Sequence, residues 1–138
     1  MACTIAADAH ASAHAARTLN VSDTAHLHHG KENRGLLVDE GQATGQLPGK
    51  VRVEFDVGAT VYANFTIYTR NGALMGHGSG TLHESKGHST VWVSFAGTMS
   101  VSRGTGRYLH AHGQGGFYGT FDRHNYEATI QTTGTLDY

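Results

Sequence analysis

The chain has 138 residues, of which 15% are charged, and a formal net charge of -1. That is the length of one domain with room for a real core, and the charge balance gives no electrostatic basis for binding nucleic acid or an anionic membrane surface. Nineteen glycines beside a single proline, with Thr and Val plentiful, point to an all-β domain whose strands bend internally rather than to a disordered chain. Eleven histidines make the net charge sensitive to pH between about 5 and 7.

Met1–Ala16 is an Ala/His mixture interrupted by Asp8, His10 and His14. It lacks the basic start and apolar run of a secretory signal, so a flexible arm over residues 1–16 and a single barrel domain over 17–138 are expected. His10 and His14 would share a helical face at i, i+4, but a frayed terminus is the simpler expectation. Cys3 is the sole cysteine, which rules out an intrachain disulfide. No apolar run approaches the ~20 residues of a membrane-spanning helix. A cytoplasmic location follows, with no glycan expected at the Asn20 and Asn64 sequons.

Strands are predicted at Leu19–His28, with Leu19 and Val21 on one face, and at Leu36–Thr44, joined by the polar turn Gly30–Arg34. Pro48-Gly49 is a turn signal. Lys50–Val57 alternates Val51, Val53, Phe55 and Val57 against Lys50, Arg52, Glu54 and Asp56, the period of a half-buried strand. Thr60–Arg70 opposes Val61, Ala63, Phe65 and Ile67 to Tyr62, Asn64, Thr66 and Tyr68. Asn71-Gly72 is a two-residue hairpin signal. Ala73–His83 carries Gly76, Gly78 and Gly80 on one face. After a turn at Glu84–His88, Thr90–Ser102 sets Val91, Val93, Phe95, Met99 and Val101 against Thr90, Trp92, Ser94, Thr98 and Ser100. The turn around Gly104 and Gly106 leads into Tyr108–Phe121, and Arg123-His124-Asn125 turns into Tyr126–Tyr138.

About eight evenly spaced strands with short connections and no helical pattern close most simply as an up-and-down antiparallel β-barrel, lipocalin-like in general architecture. Glycines recur as Gly41-x-x-x-Gly45, Gly76-x-x-x-Gly80 and Gly115-x-x-x-Gly119, as bends repeated around a ring would require.

The stretch Gly104-Thr105-Gly106-Arg107-Tyr108-Leu109-His110-Ala111-His112-Gly113 resembles the GGTG-K/R-F/Y-x-x-A-x-G segment of the allene oxide cyclase and dirigent barrels and of small bacterial barrels related to them. The resemblance implies an eight-stranded antiparallel barrel around a hydrophobic cavity, assembled as a trimer or dimer, with no cofactor. It also implies either a cyclase or isomerase that bends an apolar substrate, or a protein that only steers a reactive intermediate. The family's catalytic carboxylate or cysteine has no matching position here.

An eight-stranded barrel has an interior just wide enough to be filled by side chains or to hold one small ligand. If the less aliphatic strand faces line it, His77, His110 and Tyr118 are the candidate proton-transfer and oxyanion groups, and Tyr62, Asn64, Tyr68, Trp92 and His112 the substrate-binding ones. Such a site would be a cavity of a few hundred Å3 (the usual size of a ligand pocket). Asp39 or Glu54 would serve as base if burial raised its pKa, although Arg52 and Asp56 beside Glu54 mark a wet face. The opposite arrangement puts those Tyr and His residues outside, with Val53, Phe55, Phe65, Val93 and Phe95 filling the barrel. His26-x-His28 and His110-x-His112 each bring two imidazoles to one strand face, short of the three or four ligands of a zinc site, so no metal is expected. The expected activity is cofactor-independent cyclisation or isomerisation of an apolar small molecule, an intermediate of secondary metabolism; the alternatives are non-catalytic small-molecule binding, dirigent-type steering, or a structural barrel with a filled interior. The faces bearing Trp92 and Tyr62 are apolar enough to be hidden in a homo-oligomer.

Overall fold

The computed structural model describes residues 17–32, 34–84 and 91–138. The expected arm over residues 1–16, with His10 and His14, lies outside them, as does the turn expected at Glu84–His88 from residue 85 on. Eight antiparallel strands follow one another around a closed barrel: β1 Thr18–His29, β2 Leu37–Thr44, β3 Gly49–Val57, β4 Thr60–Thr69, β5 Gly72–Glu84, β6 Trp92–Gly104, β7 His112–Asp122 and β8 Ala128–Asp137. Each strand pairs with its sequence neighbours, and β1 closes the ring on β8 from Thr18↔Asp137 to Leu27↔Ala128. The up-and-down barrel expected from the strand spacing is the observed fold.

Period-two patterning decides which face of each strand turns inward. Val51, Val53 and Phe55 of β3 are buried with Leu27, Val61, Phe95 and Ile130 in the main core. Each such side chain removed from water contributes roughly 1.5–3 kcal/mol. The intervening Arg52 and Glu54 lie outside, where Arg52 Nη1 reaches Glu54 Oε1 at 2.9 Å and Arg52 Nε lies 3.8 Å from Glu40 Oε1. Glu54 is therefore a surface ion-pair partner and not a buried base.

Inward glycines and aromatic rings are matched across the strands. A Cβ on Gly119 would overlap the ring of Phe95, and one on Gly76 would overlap the ring of Phe65. The rings occupy the volume that missing side chains leave, and the same positions let neighbouring strands approach closely enough to coil. The recurrent glycine spacing holds in part: Gly41, Gly76, Gly80, Gly115 and Gly119 lie in strands, whereas Gly45 lies in the β2–β3 turn with φ +131°.

The connections at one end join β1 to β2, β3 to β4, β5 to β6 and β7 to β8. The other end holds the remaining three turns and the Arg17–Tyr138 backbone pair. Two boundaries there differ from the sequence expectation. The β4–β5 hairpin turns at Arg70-Asn71, with Gly72 already the first residue of β5, at φ +145°. Tyr108 does not start a strand: Gly106–Tyr108 is one turn of 3-10 helix, and β7 begins at His112. The cause is visible in the contacts. The Thr105 N–H donates to the Ala73 carbonyl and the Arg107 N–H to the Asn71 carbonyl, which pins this connection over the β4–β5 turn. That fold drives the Tyr108 ring into a second core with Leu47, Leu74, Ala111 and Leu136, and this core closes the end.

Candidate interior site

Between the two cores lies a cavity of about 110 Å3. Its walls include Leu27, Val53, Phe55, Phe65, Phe95 and Ile130, on the apolar inner faces of the strands. It is smaller than the few hundred Å3 expected, because Phe65, Phe95 and Phe117 reach inward over glycines on neighbouring strands. A cavity on the order of 150 Å3 with a hydrocarbon lining stays dry and takes up benzene or xenon, so the space here suits a guest of that size.

Two carboxylates stand on the inner face. Asp23 of β1 lines the cavity toward the Tyr108 end and is 8% exposed. Its Oδ1 accepts the Gln46 N–H at 2.7 Å and its Oδ2 the Leu47 N–H at 2.8 Å, so it caps the β2–β3 turn. Gly45 is required beside it, since a Cβ there would overlap the Asp23 carboxylate.

Asp39 of β2 is fully buried toward the opposite end. It shares the inner face with Leu37, Gly41 and Ala43, directly across from His29 on one side and Val53 on the other. His29 Nδ1 lies 3.4 Å from Asp39 Oδ1, a long contact for a hydrogen bond. Asp39 Oδ2 has no hydrogen-bond partner among the described residues. Burial pushes the Asp39 carboxyl above its ordinary value, and the hydrogen bond and charge of His29, with the charge of His28, partly offset this. The His29 ring is 24% exposed and lies 5.0 Å from the Tyr126 ring, which in turn lies 5.6 Å from Phe121. Tyr126 holds a left-handed backbone, φ +60°, unusual for a bulky residue. His29, Tyr126 and Phe121 thus form a row of rings that begins beside Asp39.

The residues predicted to line the interior stand outside it. Tyr62 is 59% and Trp92 51% exposed, and Tyr68 and Tyr118 are about as open. Asn64 and His77 are ladder partners on the outer wall, in an open polar groove with Arg52 and Arg103. His110 is exposed in the β6–β7 connection. His112 is exposed at the start of β7, with Nε2 3.6 Å from Asp137 Oδ2. The physical reason is plain from the packing: aliphatic faces of β3 to β6 bury more hydrocarbon, so the mixed faces turn to solvent. Asp39 alone among the named candidates is inside. Asp23, His29 and Tyr126 were not anticipated.

Among the described residues no group of three or more His, Cys, Asp or Glu side chains is placed to hold a metal ion, and no helix is long and apolar enough to cross a membrane. Compared with known protein families, with curated proteins and with solved structures, the chain matches none.

Proposed function

We propose that the barrel binds one small apolar molecule in its interior, as the resemblance of its glycine-rich segment to the cyclase and steering barrels implies. The observation that carries this is the hydrocarbon-walled cavity of about 110 Å3 between two cores. A close-packed interior has few voids larger than a water molecule, and each unfilled volume weakens the fold, so an apolar hollow of this size is retained at a cost to stability. Titration with toluene, followed by methyl resonances of Leu27 and Ile130, tests it directly. Saturable shifts at those methyls are expected. Ala43→Leu, which places a larger side chain on the cavity wall, is expected to abolish them, and no shift in the unmodified protein refutes the proposal.

A second role, cofactor-free isomerisation or cyclisation of the guest, is favoured by one feature. Asp39 is a buried carboxylate of raised pKa beside a partly exposed imidazole. Such a pair can take a proton from an enclosed substrate and exchange it with solvent. Turnover would then depend on Asp39 and His29, whereas binding alone would not. Self-association through the outer wall that presents Tyr62, Trp92 and Tyr118 belongs to the same proposal.

A further inference from the structure

We infer that the barrel carries a second ligand site on its outer wall: a groove shaped by a β-bulge in β6 that binds the carboxylate of a small organic monoanion. The inference does not rest on the interior binding proposed above.

The groove has a volume of about 520 Å3, and Arg52, Asn64, Thr66, His77, Ser102 and Arg103 line it. That is the size of sites that take small molecules. Its shape follows from the ladder. Asn64 pairs with His77 and Met75 with Arg103, but Gly76 pairs with Val101, which leaves Ser102 as an extra residue in β6. A bulge of this kind re-aims side chains and recurs next to functional sites. Strict alternation would turn one of two successive side chains into the barrel. Here Ser102 and Arg103 are both exposed and both line the groove, while the next residue, Gly104, pairs with the fully buried Leu74. The bulge thus adds the Arg103 guanidinium to the wall that already presents Asn64 and His77.

Charge selects the ligand. Glu54 also lines the groove, and Arg52 Nη1 lies 2.9 Å from its Oε1, so these two neutralise each other. Arg103 has no ion-pair or hydrogen-bond partner among the described residues, and neither has the side chain of Asn64 or His77. The groove therefore offers one uncompensated guanidinium, with an amide and an imidazole as further donors. A guanidinium fork matches a carboxylate bidentately. The Glu54 carboxylate repels a dianion more than a monoanion, which disfavours phosphate monoesters. The volume beyond the oxyanion, with Thr66 and Met75 among its walls, takes the organic body of the acid.

Benzoate, benzyl alcohol and phenyl phosphate share a ring and differ in charge. Each is titrated at neutral pH and low salt into the unmodified protein, Arg103→Ala and Arg103→Lys. NMR follows the Asn64 side-chain amide and the backbone amides of Gly76 and His77. Benzoate is expected to shift these signals saturably and to bind more tightly than either of the other two. Arg103→Ala is expected to weaken benzoate roughly tenfold, the loss of a charge-assisted pair. Arg103→Lys keeps the charge without the fork and is expected to restore only part of the affinity. Ala43→Leu, which fills the interior, is expected to leave benzoate binding intact. Absence of benzoate shifts at these amides, or affinity unchanged in Arg103→Ala, overturns the site. Phenyl phosphate binding more tightly than benzoate overturns the monoanion assignment. Benzoate that moves the Leu27 and Ile130 methyls and not the groove amides overturns the outer site while the interior reading stands.

Discussion

His29 and Asp39 face each other directly across the β1–β2 ladder, with Nδ1 3.4 Å from Oδ1, and Asp39 is fully buried on the inner face of its strand. Leu27 and Gly41 flank the pair along the two strands, and the Tyr126 ring packs against His29. A polar pair in such a place destabilises the fold through desolvation more than one long contact returns.

That imbalance fixes the sign of a pH effect. Folding raises the Asp39 pKa above its ordinary 3.8, so the folded state binds this proton more tightly than the unfolded chain does. The associated stability is fully present below the ordinary value and is lost as pH rises through the folded one. The hydrogen bond and charge of His29, and to a smaller degree the charge of His28, offset part of the rise. Asp39→Leu is therefore expected to be more stable than the unmodified protein at pH 7, by about 1–4 kcal/mol, with the gap narrowing toward pH 3. Thermal unfolding across that range checks it; a variant less stable at pH 7, or a gap that ignores pH, contradicts it.

Curvature is testable with two glycines on one strand. A Cβ on Gly119 meets the Phe95 ring and the Thr129 carbonyl, whereas one on Gly116 finds only the Gly97 carbonyl, at 3.5 Å. Gly119→Ala is expected to destabilise the barrel by about 1–3 kcal/mol. Gly116→Ala should stay within roughly 0.5 kcal/mol of the parent. Urea unfolding of both variants makes the comparison, and equal effects would remove the ring-in-glycine account of the wall.

Asp23 tests the other end. Removing its carboxylate leaves the buried Leu47 N–H without its acceptor. Asp23→Ala is expected to lower stability by about 1–3 kcal/mol and to speed hydrogen exchange at Gln46 and Leu47 more than elsewhere in β2 and β3. Unchanged exchange at those amides would show that the turn holds without its cap.

The architecture was readable from the chain because strand periodicity is local: Lys50–Val57 alternates so strictly that only one face can be wet. Orientation was the harder part. The Tyr62 and Trp92 faces mix aromatic and hydroxyl groups, and composition alone does not say whether such a face turns to a guest or to water. What decides is the total hydrocarbon on the opposite faces of several strands at once, a sum that exists only after closure. Asp23 and His29 were nevertheless within reach. Leu19 and Val21 were placed on one face, and extending that alternation along β1 passes through Asp23, Ala25, Leu27 and His29. Tyr108 was missed for a different reason: the β6–β7 connection folds back on Asn71 and Ala73, a tertiary contact that no local pattern encodes.

His77→Ala, His110→Ala and Tyr118→Ala all alter exposed side chains. Each is expected to leave toluene affinity unchanged, in contrast to Ala43→Leu on the cavity wall. A loss of interior binding in any of the three would place the functional site on the outer face and not within the barrel.

The hollow itself can be examined most directly by diffraction from crystals held under xenon pressure, since xenon enters apolar cavities of this scale. A xenon atom among Leu27, Val53, Phe55 and Phe95 is the expected result. An interior that takes up no xenon, with those side chains in mutual contact, would mean a solid core and no room for a guest.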